Sequence, residues 1–189
     1  MTTENLAQIV SRHLFAEDQQ QQQSLCLYAV LDGASVPRLP HKLEHYEVEY
    51  ECLYRGELEP DIASVAPYLV RLERDSEFVR WVLDKGWGRH WGIFVLTDAD
   101  LRKLRRHFRT FLVVHDESGL PLYFRYYDPR VLRKFLPACN RKELRTMFAP
   151  GLCYFVEGED PTTLLRFRLE SDALQQEELV LAQTNQRVG

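Results

Sequence analysis

The spacing of apolar residues along the chain switches between the interval of a helix and that of a strand. From Leu6 to Leu14, apolar residues follow one another at steps of three and four, which is typical of an amphipathic helix. Residues 25–31 instead form an unbroken apolar run that ends at the turn-forming pair Asp32-Gly33, and this pattern indicates a buried strand. The same two patterns recur along most of the chain.

Further helices and strands follow from these patterns and from the turn residues between them. The predicted helices lie at 37–46, 76–85, 97–109, 128–137 and 140–150. The predicted strands lie at 50–54, 66–72, 91–96, 111–114, 122–127, 153–157 and 164–169. The polar stretch 116–119 joins two of these strands into a β-hairpin. Interspersed helices and strands of this kind predict a single mixed α+β domain that includes hairpins.

Side chains that can accept hydrogen bonds from free backbone N–H groups stand at the starts of several predicted helices. The predicted caps are Ser76, Thr97 with Asp100, Asp128 before Pro129, and Asn140 with Glu143. Serine, threonine, aspartate and asparagine are the residues preferred at this position. Helix capping therefore accounts for Asp128 without any catalytic role.

The pattern divides the chain into three parts. Residues 1–23 are predicted to form an N-terminal amphipathic helix and a Gln-rich linker, because the five glutamines at 19–23 offer no apolar surface to bury. Residues 24–170 are predicted to form the α+β domain. Residues 171–189 are predicted to be an acidic amphipathic C-terminal tail.

Composition indicates the cellular compartment of the protein and whether it spans a membrane or binds a metal. The chain has 189 residues, of which 45% are hydrophobic, and this is enough for one buried core. Its first residues lack the features of a signal peptide, and its longest apolar run is too short to span a membrane. Four widely spaced cysteines favour reduced thiols over disulfides or a zinc site. We therefore expect a cytoplasmic protein with no membrane span, no metal and no cofactor.

Charge is unevenly distributed along the chain. The whole chain has a net charge of −4, but residues 102–145 contain 12 Lys or Arg and 4 Asp or Glu. That segment alone therefore has a net charge of +8. Such asymmetry favours steering of a charged partner, whereas the overall pI of about 5.9 argues against a nucleic-acid binder.

Catalytic motifs are absent from the sequence. It contains no G-x-S-x-G elbow, no P-loop, no G-x-G-x-x-G and no H-E-x-x-H. A hydrolase or phosphodiesterase would have to use Asp128, Arg130 and a histidine such as His90 or His107. No base, nucleophile or metal partner accompanies Asp128 in the sequence, so we expect that the protein is not an enzyme.

Three segments are candidates for binding a partner protein. Trp87 lies in a glycine-rich segment and is either a core residue or an aromatic anchor. The helix at 97–109 has cations around a narrow apolar stripe, and its basic face is either merely solvated or a docking face. Strand alternation would place Tyr123, Arg125 and Tyr127 on one face. The candidate partner-binding residues are Arg102, Arg105, Arg106, Arg109, Trp87, Tyr123, Arg125, Tyr127 and Arg130.

Five blocks of the sequence resemble one family, and they occur in the order typical of that family. These are Tyr28-Ala29-Val30-Leu31-Asp32-Gly33-Ala34, Ala66 to Val70, Gly86-Trp87-Gly88 through Phe94, Leu104 to Phe108, and Tyr123-Phe124-Arg125-Tyr126-Tyr127-Asp128-Pro129-Arg130-Val131-Leu132. The family is the adaptor or effector-chaperone domain of bacterial type VI secretion, long known as a domain of unknown function.

The resemblance implies a binding function in the producing cell. Such a protein would hold a toxin effector and load it onto the VgrG-type spike, with those two proteins as its partners. The family offers no catalytic residues to carry over. Two other classes stay open: an immunity protein that neutralises a toxin by binding it, and the hydrolase or phosphodiesterase considered above.

Overall fold

Nine strands and seven helices make up the part of the chain that the structure describes. The structure is a computed structural model, and it describes residues 5–16, 25–115, 118–149 and 151–181. The strands are β1 (Cys26–Asp32), β2 (Tyr50–Cys52), β3 (Pro67–Leu72), β4 (Gly92–Thr97), β5 (Val113–His115), β6 (Pro121–Tyr123), β7 (Cys153–Glu157), β8 (Thr163–Glu170) and β9 (Ala173–Val180). The helices are α1 (Leu6–Phe15), α2 (Leu39–His45), α3 (Pro60–Val65), α4 (Glu77–Gly86), α5 (Leu101–Arg109), α6 (Pro129–Ala138) and α7 (Arg141–Met147).

Seven of the strands form one antiparallel sheet in the order β2-β3-β1-β4-β7-β8-β9. The side chains of β1 alternate between its two faces. Leu27, Ala29 and Leu31 belong to one hydrophobic core, and Tyr28 and Val30 belong to another. Because both faces are covered, the strand is apolar throughout, and this explains the unbroken apolar run in the sequence.

Helices cover the sheet on both sides, so the molecule has three layers. Buried side chains of α1, α2 and α4 pack on one face, as Leu14, Leu43 and Phe78 illustrate. Buried side chains of α5, α6 and α7 pack on the other, with Phe108 and Leu136 among them. The predicted mixed α+β class, with a single domain of interspersed elements and hairpins, is confirmed.

Strands β5 and β6 lie outside the large sheet. They pair with each other in the register Val113 with Tyr123 and Val114 with Leu122. The hairpin leaves the domain after α5 and returns to it just before α6. The predicted hairpin is therefore confirmed, although its second strand is shorter than predicted.

The strand predicted at 122–127 is wrong beyond Tyr123. Tyr126 and Tyr127 lie in the turn that leads into α6, so alternation does not place Tyr123, Arg125 and Tyr127 on one face. Tyr127 is 4% exposed, and Tyr123 is an exposed residue of the hairpin. Tyr126 is fully buried, its ring stacks on Phe108 and its hydroxyl donates to the Phe108 carbonyl. This packing pulls the chain inward and ends the strand.

The cap predicted for the helix at 97–109 is also misplaced. Thr97 is the last residue of β4, and its hydroxyl oxygen accepts the Ala99 N–H at 3.2 Å. The N-cap is Asp100, which accepts the Lys103 N–H at 2.7 Å, and α5 begins at Leu101. The predicted caps Ser76, Asp128 and Asn140 are confirmed.

Other differences concern the ends of elements. Helix α3 was not predicted, α7 ends at Met147, and α6 continues through Pro137 to Ala138. Strand β9 lies within the segment assigned to the acidic tail and pairs along its whole length with β8. Helix α1 packs into the same core as β1. The glutamines at 19–23 and residues 182–189 lie outside the described residues.

Candidate protein-binding surface

A buried carboxylate at the end of β1 fixes the segment that follows the hairpin. Asp32 is 1% exposed and accepts hydrogen bonds from the Ala34 N–H at 3.1 Å and the Ser35 hydroxyl at 2.6 Å. Its third donor is the Arg125 guanidinium, at 2.5 Å. A buried carboxylate with three donors is well compensated for its loss of water. The ion pair therefore ties the return end of the hairpin to β1, an interior strand of the sheet.

Asp128 is the second buried carboxylate, and it lies at the start of α6. Its Oδ1 accepts the backbone N–H of Arg130 at 2.9 Å, and its two oxygens accept the guanidinium of the same residue at 3.0 and 2.7 Å. Burial raises the pKa of Asp128, but the hydrogen bonds and the charge of Arg130 outweigh burial and lower it overall. The carboxylate is thus held in its ionised form.

Glu157, the last residue of β7, is the third buried carboxylate. It accepts the backbone N–H groups of Gly88 and His90 at 2.7 and 2.8 Å, and it also contacts the His90 ring. Strands β1 and β7 both run antiparallel to β4, so Asp32 and Glu157 stand at the same end of the sheet. The hydrogen bond with Asp128 and the charge of that residue raise the pKa of Arg130, and the charges of Glu157 and Asp32 add to this rise. The three acids therefore form one group, which we call the carboxylate edge (Asp32, Asp128 and Glu157).

The carboxylate edge is suited to holding chain segments in place. Every one of its carboxylates already accepts hydrogen bonds from at least two groups of the protein. His107 lies elsewhere: its ring contacts the Met147 carbonyl of α7, and burial lowers its pKa. Of the residues considered for a hydrolase, Asp128 and Arg130 are brought together, and His107 is not part of that pair. Within the described ranges, no three His, Cys, Asp or Glu side chains are grouped to hold a metal ion.

The hairpin that these contacts anchor exposes apolar side chains on both of its faces. Val113 and Val114 are 42% and 40% exposed, and Leu122 and Tyr123 are 51% and 76% exposed. With Leu120, these residues constitute what we call the apolar hairpin. A two-stranded ribbon is of marginal stability in water when nothing covers it. Clustered exposed apolar side chains of this kind mark sites of protein association.

A second surface is formed by the exposed side of α5, α6 and α7, which we call the basic layer. These helices contain eleven Lys or Arg residues and one acidic residue, Glu143. The helices α1, α2 and α4 on the opposite side contain four cationic and three acidic residues. The charge asymmetry of the sequence therefore becomes an asymmetry between the two helical layers.

Two of the predicted arginines in α5 hold the domain together. Arg109 donates to the carbonyls of residues 52, 53 and 54, and so covers the end of β2. Arg105 forms an ion pair with Glu51 at 3.2 Å. Arg102 and Arg106 are exposed, as a docking face requires. Helix α5 thus combines inward ties with an outward cationic face.

The glycine-rich segment around Trp87 is a tightly packed connection between α4 and β4. The indole N–H of Trp87 donates to the Pro161 carbonyl at 2.7 Å, and its ring stacks on Phe94. A Cβ on Gly92 would lie 2.2 Å from the Val30 carbonyl oxygen, so only glycine fits there. The structure therefore gives Trp87 a packing role, and its contact with a partner stays a prediction.

Sequence analysis missed Asp32 and Glu157 as anchoring groups and did not single out the apolar side chains of the hairpin. Asp32 was noted only as a turn signal and Glu157 only as a strand end. The signal that was available is an acidic residue directly after a buried strand, where the side chain must find donors. For Val113, Val114 and Leu122 there was no such signal, because an exposed hairpin and a buried one share the same alternation.

These features describe a three-layer α+β domain that presents an anchored apolar hairpin beside a cationic helical layer. A family model described as "Domain of unknown function (DUF4123)" matches residues 27–146. The chain belongs to this family. Comparisons with curated proteins and with solved structures give no match. Among the helices of the described residues, none has the length and apolar character needed to cross a membrane.

Proposed function

We propose that the chain is a cytoplasmic adaptor chaperone of type VI secretion, which binds a toxin effector, loads it onto the VgrG-type spike and catalyses no reaction. Membership of the family supports the proposal, because all five sequence blocks that resemble type VI adaptors lie within the matched residues. The observation that carries it is the apolar hairpin, in which Tyr123 is 76% exposed and Leu122 51% exposed. Side chains of this size gain most from burial against another protein.

The anchoring of the hairpin supports a binding role in a second way. The ion pair between Arg125 and Asp32 fixes the hairpin's return end, and the rings of Phe124 and Phe135 pack 4.6 Å apart beneath it. A preorganised surface loses less conformational entropy when it binds, so more of the contact energy becomes affinity. A hairpin held in this way is a suitable platform for a partner.

The proposal is tested by tagging the chain in its native bacterium and identifying co-purified proteins by mass spectrometry. We expect a toxin effector and a spike protein together. In a strain that lacks the chain, the effector should still be made but should no longer be secreted. Recovery of a toxin without a spike, in a strain that is poisoned when the chain is deleted, would instead identify an immunity protein.

A further inference from the structure

The apolar hairpin and the basic layer form one continuous surface. The hairpin's base lies between two helices of the layer: the Phe124 N–H donates to the Leu112 carbonyl at 3.0 Å, and the Phe124 ring packs on Phe135 of α6. On the α5 side, the ring of Phe111 packs edge-on against Tyr126. A partner that lies on the hairpin therefore also meets α5 and α6.

Most of the cations on this surface are available to a partner. Eight of the eleven Lys and Arg side chains in the basic layer are exposed. Arg130 and Arg145 among them are paired with Asp128 and Asp172. The other six have no ion-pair partner among the residues that the structure describes: Arg102, Lys103, Arg106, Lys134, Arg141 and Lys142.

Acidic side chains border the basic layer. Glu51 of β2 lies against Arg105, and Asp172, in the turn between β8 and β9, lies against Arg145. Beyond that turn, Glu178 of β9 stands opposite Leu165, on the face of the sheet that the basic layer covers. A long uniform polyanion would extend onto these carboxylates, whereas a short acidic segment fits between them. The border therefore favours an acidic protein segment over a nucleic-acid duplex.

We propose that this surface binds an acidic amphipathic segment of the partner protein, with the segment's apolar side chains on the apolar hairpin and its carboxylates on the basic layer. The identity of that partner as the effector rests on the proposed function, but the chemistry of the segment does not. Apolar contact supplies the affinity, and the charges supply orientation and rapid association.

The test begins with the purified full chain and a phage-displayed library of random linear peptides. We expect the enriched peptides to combine Asp or Glu with Leu, Ile or Phe. Their affinity is then measured by fluorescence anisotropy for the wild type and for two variants. The hairpin variant is Leu122→Ser with Tyr123→Ser, and the charge variant is Arg102→Glu with Arg106→Glu. Each should weaken binding about tenfold or more.

Matched controls lie outside the surface. Val180→Ser removes an exposed apolar side chain from β9, where Val180 is 67% exposed. Arg80→Glu with Lys85→Glu reverses two exposed charges on α4, in the opposite layer. Both controls should bind the peptides within about twofold of the wild type. Melting temperature checks that all the variants are folded.

Several results would overturn the inference: no enriched peptide, enriched peptides that are basic or have no acidic residue, or peptides that are insensitive to either surface variant. Tighter binding of a short DNA duplex, competing with the peptides, would show that the surface recognises phosphates instead. If the peptides behave as expected but the native pull-down recovers no effector, the proposed function is wrong. The inference that this surface binds an acidic amphipathic segment is then still supported. If the effector is recovered and its binding ignores both variants, the surface fails and the proposed function stands.

Discussion

At the scale of single residues, Asp128 shows how one side chain can serve both the backbone and a neighbouring charge. Its carboxylate caps α6 through the Arg130 N–H and also binds the Arg130 guanidinium. The first contact provides an acceptor for a backbone N–H that has no partner within the helix. The second contact keeps the carboxylate ionised although it is buried. Helix α6 therefore begins at a fixed position, directly after the segment that Arg125 ties to Asp32.

Replacing Asp128 separates these two contributions. Asp128→Ala removes the cap and should lower the free energy of unfolding by about 1 kcal/mol or more. Asp128→Asn keeps an acceptor for the Arg130 N–H and loses only one carboxylate oxygen. This variant should therefore lower the free energy of unfolding less than Asp128→Ala does. Urea unfolding measures both. An Asp128→Asn variant that folds and binds the proposed effector and spike, yet abolishes effector secretion, would instead indicate a catalytic role for Asp128.

His107 makes stability depend on pH. Burial lowers its pKa below 6.5, and its hydrogen bond with the Met147 carbonyl only partly opposes this. The unfolded chain therefore binds a proton at a higher pH than the folded one does. The stability that this histidine contributes is complete above its unfolded pKa and is lost as the pH falls below it.

We expect thermal melts of His107→Gln to show a smaller loss of melting temperature than the wild type between neutral pH and about pH 5. The control is His41→Gln, which changes an exposed histidine on α2. The control should follow the wild type. If both variants gave the wild-type pH dependence, His107 would not be the titrating group.

At the scale of elements, Glu157 connects β7 to the segment between α4 and β4. Glu157→Gln keeps one acceptor for the two backbone N–H groups of Gly88 and His90, so one of them loses its partner. We expect the free energy of unfolding to fall by about 1–3 kcal/mol. The control is Glu159→Gln, two residues away and 78% exposed, which should stay within about 0.5 kcal/mol of the wild type. Equal urea midpoints for the two variants would contradict the contact.

An element could be predicted when the contacts that define it are between residues close in the sequence, and not when they are between distant residues. Capped helices such as α4 were predictable because Ser76 and the apolar spacing act within a few residues. The end of β6 was not, since it depends on Tyr126 packing against Phe108, eighteen residues away. Strand β9 was predicted as an acidic tail because its centre, residues 175–178, is polar and exposed. Its backbone pairing with β8 holds it in the sheet although few of its side chains are covered.

At the scale of the whole molecule, the sheet order and the carboxylate edge could not be predicted from the sequence. The order β1-β4-β7 places Asp32 and Glu157 at the same end of the sheet although they are 125 residues apart in the sequence. Asp128 follows the segment that Arg125 ties to Asp32. No local sequence pattern predicts which residues that are distant in the chain lie close together in the fold. The positive charge of residues 102–145 was predictable as a total, and its placement on a single layer required the helices to pack on one face.

The family match ends at residue 146, but β7 pairs with β4 inside the sheet. A chain truncated after Ala149 would keep the whole matched segment but lose β7, one of the two partner strands of β4. The Phe94 to Leu96 stretch would then be an uncovered edge with apolar side chains on both faces. We expect this fragment to aggregate, measured by light scattering. A chain that ends at Glu170 loses β9 but keeps β7 beside β4, so it should scatter no more light than the full chain. The segment that the family model matches would then depend on β7, outside the match, to fold.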